Sequence, residues 1–222
     1  IGTDVEIGDN VTIHSHVSVQ CKTKIGNNVE IYPFVSINIS QDRKYEGEPS
    51  EVIIGDNTVI REHVTINNGS KYDGMKTVVG KDCLLMIGVH IAHDCYVGNN
   101  VVIANNTVLG GHVTVESDVV IGGMSAVHPR VCIGKGAIVG GMSGIAEDVI
   151  PYGNAKNDRA FLYGLNVIGM KRANFSRNEI LELNSFFNKL FLSEEGTFKE
   201  RLKSLEKKYA NNPHARYIAE FI

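Results

Sequence analysis

The sequence predicts a mainly β protein, with a solenoid of short parallel strands over residues 1–150 and an α-helical subdomain over residues 151–222. Two of the observations behind this prediction are repeats: aliphatic residues recur every six positions, and glycine or a polar residue often follows them. The third is that both patterns stop near residue 150, where signals typical of helix starts begin.

The six-residue period is the strongest of these signals. Its uninterrupted run consists of Val79, Leu85, Ile91, Val97, Ile103, Leu109, Val115, Ile121, Val127, Ile133, Val139 and Ile145. A small or β-branched residue often precedes the aliphatic by two positions, which indicates short strands with one buried face. Three such strands would close a triangular coil of eighteen residues, and successive coils would stack at about 4.8 Å by parallel pairing.

Two stretches break the period, near residues 38–53 and 67–78. A solenoid accommodates such insertions as loops that leave one corner of a coil, because the coils on either side can still pair. Loops on a rigid scaffold often carry functional residues. We therefore expect both insertions to contribute to a binding site.

Helix signals organise the last part of the chain. Ser176 with Glu179 forms a capping box before an apolar face at helical spacing, and Thr197 with Glu200 repeats the pattern. Pro213 is placed to open a last helix. This subdomain is expected to cap the open end of the solenoid, which would otherwise present unpaired strand edges.

Composition argues against several classes of partner. A net charge of −3 with no arginine-rich run argues against nucleic acid. No apolar stretch approaches the roughly 20 residues that cross a bilayer, so we expect no membrane span and a cytoplasmic location. Nothing in the sequence indicates a cofactor.

The register of the coils places two histidines where chemistry is possible. His90 and His93 fall at outward positions, and residues eighteen apart lie on neighbouring coils, so Gly111 is expected beside His93 and His112 beside Asp94. A base next to a backbone N–H that no side chain masks is what acyl transfer requires. Asp94 would stabilise the imidazolium or fix its tautomer, although neighbours on a strand usually point apart.

A zinc site is the alternative interpretation of these histidines. Hexapeptide-repeat carbonic anhydrases bind metal with a histidine pair five residues apart, but here the residues five positions after His90, His93 and His112 are not histidine. No metal is therefore predicted. No serine or cysteine lies in a recognisable nucleophile motif, so direct attack by an acceptor hydroxyl on an activated acyl group is the simpler scheme.

Five stretches resemble one family of acyltransferases. They are "QDRKYEGEP" (41–49), "IAHDC" (91–95), "ANNTVLGGHV" (104–113), "IGGMSAVH" (121–128) and "GLNVIGMKR" (164–172). In this order they are similar to the acyl carrier protein:UDP-N-acetylglucosamine O-acyltransferases that begin lipid A synthesis. The resemblance implies a left-handed parallel β-helix and a homotrimer with active sites between neighbouring subunits. It also implies two substrates, a 3-hydroxyacyl-acyl carrier protein and UDP-N-acetylglucosamine.

The resemblance also implies roles for single residues. His93 would remove the proton from the sugar 3-hydroxyl, Asp94 would support it, and the Gly111 N–H would stabilise the oxyanion. The substrate-binding positions it implies are Asp42, Lys44, His90, His112, His128, Asn166 and Arg172. Gly141 matches the position that gauges acyl length, and a glycine there implies longer 3-hydroxyacyl chains.

Four positions depart from the residues usual in that family, namely Asn67, Pro129, Arg159 and Ala173. Two other functions remain open from the sequence. One is the related N-acyltransferase, which acts on a glucosamine amine, and the other is a non-catalytic trimeric scaffold of hexapeptide repeats that only binds a partner.

Overall fold

The computed structural model describes residues 1–40 and 45–222. This part of the chain forms a three-sided solenoid with one sheet on each side. Sheet A contains β1 (Val5–Ile7), β4 (Lys22–Ile25), β7 (Glu51–Ile54), β10 (Lys76–Val79), β13 (Tyr96–Val97), β16 (Thr114–Val115) and β19 (Cys132–Ile133). Sheet B contains β2 (Thr12–Ile13), β5 (Glu30–Ile31), β8 (Val59–Ile60), β11 (Leu84–Leu85), β14 (Val102–Ile103), β17 (Val120–Ile121), β20 (Ile138–Val139), β22 (Gly153–Lys156) and β23 (Phe161–Leu165). Sheet C contains β3 (Ser18–Val19), β6 (Ser36–Ile37), β9 (Thr65–Ile66), β12 (His90–Ile91), β15 (Val108–Leu109), β18 (Ala126–Val127) and β21 (Gly144–Ile145).

The strand register confirms the eighteen-residue coil. Tyr96 pairs with Thr114 in sheet A, and the same spacing recurs in sheets B and C. The spacing is larger only across the two insertions, where Ser36 pairs with Thr65 and Thr65 with His90. Both insertions follow a strand of sheet C and precede a strand of sheet A, so they leave the same corner.

We name the three corners by the sheets that they join. The C–A corner contains residues 92–94, 110–112 and 128–130 and the described parts of both insertions. The A–B corner contains residues 8–10, 26–28, 55–57, 80–82, 98–100, 116–118 and 134–136. The B–C corner contains residues 104–106, 122–124 and 140–142. At many corners a non-glycine residue adopts a left-handed backbone, such as Asn100 with φ 55° and Asp94 with φ 59°. Asn, Asp and His tolerate this region better than most residues.

The core of the solenoid consists of the periodic aliphatic residues. Leu85, Ile91 and Ile103 are fully buried. Ile1 and Ile7 follow the same period but are exposed, because β1 pairs only with β4 and no described coil covers its other edge. The glycines that follow the aliphatics lie against the next coil, since a Cβ on Gly55 would meet the Gly80 carbonyl carbon at 2.6 Å. The fold class predicted from the sequence, a parallel β-helix with a C-terminal helical region, is confirmed.

In the segment after residue 150, two strands precede the helices. β22 extends sheet B in parallel with β20, and β23 then pairs with β22 in antiparallel fashion. The helical structure begins only at Val167. The six-residue pattern ends before this hairpin, so the pattern could not signal two further strands that follow a different connection. The boundary near residue 150 stays a prediction.

The helical region has its own core. It consists of α1 (Val167–Arg172), α2 (Arg177–Phe187), a π-helical turn (Asn188–Leu192), α3 (Phe198–Lys208) and α4 (Pro213–Phe221). Both predicted capping boxes are present, and Pro213 opens α4. Tyr217 of α4 donates a hydrogen bond of 2.6 Å to Glu116, which attaches the helices to the solenoid. In the described residues no helix combines the length and the apolar character that crossing a membrane requires.

Candidate active site

His93 and Asp94 form a hydrogen-bonded pair at the C–A corner. The distance between His93 Nδ1 and Asp94 Oδ2 is 2.8 Å. On a flat strand, neighbouring side chains would point apart, but the left-handed backbone of Asp94 turns the chain here and brings the two side chains together. The corner therefore allows His93 and Asp94 to hydrogen-bond although they are neighbours in sequence.

The Asp94 carboxylate is buried and well partnered. Its side chain is 2% exposed, whereas that of His93 is 39% exposed. Oδ1 accepts a hydrogen bond of 2.8 Å from the Ser70 N–H, and the Asp94 N–H donates to Thr77 Oγ1 at 3.0 Å. The Ser70 N–H and the His93 ring each contact one carboxylate oxygen, and these contacts offset the cost of burying the carboxylate. Because a carboxylate accepts the bond from Nδ1, His93 is left with Nε2 as a proton acceptor.

Gly111 lies directly against the His93 ring, as the eighteen-residue register predicted. A Cβ at this position would be 2.6 Å from both Cε1 and Nε2 of the ring, so only glycine fits without displacing His93. The Gly111 N–H has no hydrogen-bond acceptor in residues 1–40 and 45–222. At the A–B corner the corresponding N–H groups of Lys81 and Asn99 donate to side chains of the next coil. The Gly111 N–H is thus available to a ligand.

His112 is the next residue on the same coil as Gly111. Its ring is edge-on to the His93 ring, with centroids 5.0 Å apart. Its Nδ1 lies 2.8 Å from Asp73 Oδ2 and 4.0 Å from Asp94 Oδ2. Asp73 belongs to the second insertion, so this loop supplies a partner to a residue that the sequence placed in the site.

The other two histidines predicted in the site differ in exposure. His90 is half-buried in β12, and its Nδ1 lies 2.7 Å from Thr65 Oγ1. Burial lowers the pKa of His90, so this side chain is held neutral. His128 is exposed at the C–A corner, and its Nδ1 lies 3.2 Å from the Pro129 carbonyl oxygen.

Two of the predicted binding residues lie at a different corner. A cleft of about 970 Å³ opens at the A–B corner and is lined by Asn166 and Arg172. The Asn166 side chain caps α1 through the Gly169 N–H and donates to the Gly136 carbonyl oxygen, with both bonds at 2.9 Å. Arg172 is exposed, and the described residues give it no ion pair. Asn166 therefore positions the helix that carries a free guanidinium.

The remaining predictions fall elsewhere. Gly141 is exposed at the B–C corner, and a Cβ there would lie 3.2 Å from the Gly123 carbonyl oxygen. Asp42 and Lys44 lie outside the described residues. A single chain thus distributes the predicted site over three corners, and it gathers only the residues near His93.

The sequence and the fold of this chain both match known proteins. The profile of domain 2 of UDP-N-acetylglucosamine O-acyltransferases matches residues 148–222, and the bacterial transferase hexapeptide profile matches residues 4–38 and 76–111. The UDP-N-acetylglucosamine O-acyltransferase of Moraxella catarrhalis is 38% identical, with a TM-score of 0.94 over 99% of this chain and 86% of that one. The chain belongs to the UDP-N-acetylglucosamine O-acyltransferase family. The enzyme from Campylobacter jejuni is 34% identical (TM-score 0.91, 99% of this chain and 84% of that chain), and the Arabidopsis enzyme is 30% identical (TM-score 0.85, 98% and 92%).

Membership of the UDP-N-acetylglucosamine O-acyltransferase family confirms the resemblance found in the sequence.

Three polar partners of Asp94 and His112 were not predicted from the sequence. Ser70 and Asp73 lie in an insertion without period, and Thr77 is the second residue of β10, the strand that follows it. The available signal was the position of the insertion, because it leaves the corner that carries His93.

The same side chains also offer ligand atoms to a metal ion. One ligand atom each from His93, Asp94 and His112 lie within 4.8 Å of one another. The spacing of histidines along the sequence does not reveal this group, because its members come from two coils. Nδ1 of each histidine is already hydrogen-bonded to a carboxylate, which argues against metal binding through these atoms. The expectation of no metal stays a prediction.

Proposed function

We propose that this chain transfers a 3-hydroxyacyl group from acyl carrier protein to the 3-hydroxyl of UDP-N-acetylglucosamine, the first step of lipid A biosynthesis. One observation carries the proposal: His93, oriented by Asp94, leaves Nε2 free next to the unpaired Gly111 N–H. Family membership supports the same reaction class. We place the reaction in the cytoplasm.

The proposed reaction needs no covalent enzyme intermediate. His93 Nε2 takes the proton of the sugar hydroxyl as its oxygen attacks the thioester carbonyl carbon. The Gly111 N–H donates to the oxyanion that forms, and Asp94 stabilises the imidazolium. When the intermediate collapses, the bond from carbon to sulfur breaks and the carrier thiolate takes the proton from His93. The products are the sugar ester and the free carrier thiol.

The distribution of residues over three corners supports a homotrimer. Arg172 and the cleft at the A–B corner would bind the diphosphate of the sugar nucleotide, since a guanidinium matches phosphate oxygens bidentately. His93 lies at another corner of the same chain. A complete site then requires a second copy, whose cleft faces this His93. Exposed apolar side chains on the solenoid, such as Val108, Val120 and Met142, suit burial between subunits.

The other predicted residues take secondary roles in this proposal. Asp42 and Lys44 would contact the sugar nucleotide from the first insertion, and His90, His112 and His128 would line the cleft between subunits and bind the same substrate. Gly141 would leave space at the far end of the acyl groove, which favours longer 3-hydroxyacyl chains. The acidic carrier protein would dock on a basic surface, for which Lys171 and Arg177 are candidates because both are exposed.

A transfer assay with a series of 3-hydroxyacyl carriers tests the proposal. With UDP-N-acetylglucosamine as acceptor, the wild-type protein should form an ester and release the carrier thiol. His93→Ala should still bind the sugar nucleotide but lose activity by about 10²–10⁴-fold, since it lacks the base. Mixed oligomers then test the shared site: His93→Ala and Arg172→Ala chains, each inactive alone, should recover activity when refolded together.

Each contrary outcome has a defined meaning. An amide product with an amino-sugar acceptor would favour the N-acyltransferase, and no thioester consumption with any chain length would favour a binding scaffold. Failure of the mixed oligomers to recover activity would reject the shared site. The role of His93 is tested separately, by the activity of His93→Ala alone.

A further inference from the structure

The second insertion meets the site at two separate points. Within this loop (residues 67–75), the Ser70 N–H donates to Asp94 Oδ1 at 2.8 Å, and Asp73 Oδ2 lies 2.8 Å from His112 Nδ1. Ser70 thereby reaches the carboxylate that orients His93, and Asp73 reaches the neighbouring imidazole. The two contacts differ in chemistry, because only the second holds a side chain that faces a substrate in the proposed function.

The Asp73 carboxylate is fixed on both of its oxygens. Its Oδ1 accepts a hydrogen bond of 2.9 Å from the Gly74 N–H, while Oδ2 accepts from His112. The hydrogen bond from His112, and then that from Gly74, lower the pKa of Asp73, so this carboxylate is ionised at neutral pH. Since Nδ1 of His112 carries the shared proton, its Nε2 is left as the atom that can meet a ligand.

The loop has several attachments besides Asp73. Asn67 Nδ2 donates to the Ile39 carbonyl oxygen at 2.7 Å, Asn68 Nδ2 donates to Ser50 Oγ at 2.6 Å, and Lys71 forms an ion pair with Glu48 at 3.4 Å. These contacts attach the loop independently of His112. What distinguishes the Asp73 carboxylate from these contacts is its hydrogen bond with the His112 imidazole.

Asp73 also keeps His112 away from the catalytic carboxylate. His112 Nδ1 is 4.0 Å from Asp94 Oδ2, beyond hydrogen-bond distance, and that oxygen already accepts from His93. Without Asp73, the carboxylate that remains near the His112 Nδ1–H is that of Asp94. The two imidazoles would then compete for one oxygen, and both would lose their orientation.

We propose that Asp73 is a positioning residue, which fixes the tautomer and the orientation of His112 so that Nε2 of this ring meets the acceptor sugar nucleotide. This inference rests on the proposed function, in which His112 binds that substrate. Asp73 itself touches no reacting atom and acts through His112.

A double-mutant cycle tests this proposal, with kcat/KM for UDP-N-acetylglucosamine measured at saturating acyl donor. Asp73→Ala should lower kcat/KM about tenfold, the size expected for one hydrogen bond to a charged group. In a His112→Ala background the same change should have no further effect. Glu46→Gln, which removes a charge that the first insertion places 3.4 Å from Lys71, is the matched control and should leave kcat/KM unchanged.

The overturning result is an equal loss from Asp73→Ala with and without His112, because that would show a general effect on the loop. Should Asp73→Ala fold poorly, Asp73→Asn replaces it, since its amide oxygen keeps an acceptor for Nδ1 but lacks the charge. It should lose less activity than Asp73→Ala.

Ring ¹⁵N spectra of histidine-labelled protein separate this inference from the proposed function. The His112 signals should report an Nδ1-protonated tautomer in the wild type and a mixture in Asp73→Ala, whether or not the sugar nucleotide is a substrate. Unchanged His112 signals in the variant would refute the positioning role even if acyl transfer is observed. Absence of transfer with the expected spectral change would refute only the proposed reaction.

Discussion

The A–B and C–A corners share one backbone design but use it differently. At the A–B corner the left-handed positions form a ladder in which Asn10 donates to Asn28, Asn28 to Asn57 and Asn57 to Asp82, with distances of 3.3, 3.1 and 2.9 Å. At the C–A corner the left-handed residues include Asp94 and His112, with φ of 59° and 62°. Their side chains bond to residues outside the column, namely Ser70 and Asp73.

The difference shows what turns a structural corner into a site. In the ladder the polar side chains bond to one another from coil to coil, so none of them is free for a ligand. Within residues 1–40 and 45–222, the free group at this corner is instead the Arg172 guanidinium of α1, which lines the cleft. At the C–A corner, the second insertion supplies hydrogen-bond partners to Asp94 and His112. In the described residues His93 Nε2 has no donor and the Gly111 N–H has no acceptor. The scaffold supplies repeated geometry, and the interruption of the repeat supplies unsatisfied groups.

After His93→Ala, the next largest effect on activity is expected at Gly111 of the C–A corner. Gly111→Ala places a methyl group 2.6 Å from the His93 ring and must displace it. A displacement of this size should lower kcat about 100-fold, with little change in melting temperature. Gly74→Ala is the control, because a Cβ there meets no atom within 4 Å. Equal activity in the two variants would show that the position of the ring is not critical.

A change in the ladder should affect stability but not catalysis. Asn57→Ala removes hydrogen bonds to Asn28 and Asp82 and places a Cβ residue without a polar side chain at φ 57°. We expect the free energy of unfolding in urea to fall by about 1–2 kcal/mol, with kcat unchanged. Asn57→Gly, which loses the bonds without the backbone strain, should lose less. A fall in kcat would mean that the corners are coupled.

The smallest effect is a pH dependence in the ladder region. The hydrogen bond from Lys81, at 2.8 Å, and the Asn27 N–H lower the pKa of Asp56. Because its folded pKa lies below the unfolded value of about 3.9, this carboxylate contributes stability above that pH and loses it as the pH falls through the folded pKa. The stability advantage of wild type over Asp56→Asn in urea titrations should therefore shrink between pH 5 and pH 3. A constant difference would contradict it.

Much of the fold was predictable because the six-residue period is a physical requirement of the coil. Ile91, Ile103 and their counterparts must point inward, and residues eighteen apart must be neighbours. The same spacing of eighteen predicts that Gly111 lies against His93, which the structure confirms. The capping boxes of α2 and α3 were equally legible, since Ser176 and Thr197 each precede a glutamate by three positions.

The rest was not predictable, since it depends on geometry that has no period. The left-handed turn at Asp94 decides that two sequence neighbours can hydrogen-bond. Asp73 reaches His112 across 39 residues from an irregular loop. The roles of Asp42 and Lys44 stay predictions because both lie outside the described residues. The strands after Pro151 were missed since they follow a different spacing from the coils.

The segment from Val149 to Leu165 determines how the C-terminal end of the solenoid is closed. Val149 bridges to Ile133 in sheet A, Arg159 bridges to Gly144 in sheet C, and the reversed strand Phe161–Leu165 closes sheet B. Every side of the prism is thereby met by a segment that cannot serve as a template for another parallel rung. An open end would present unpaired strand edges that can pair with another chain, and at this end the chain covers those edges with its own backbone.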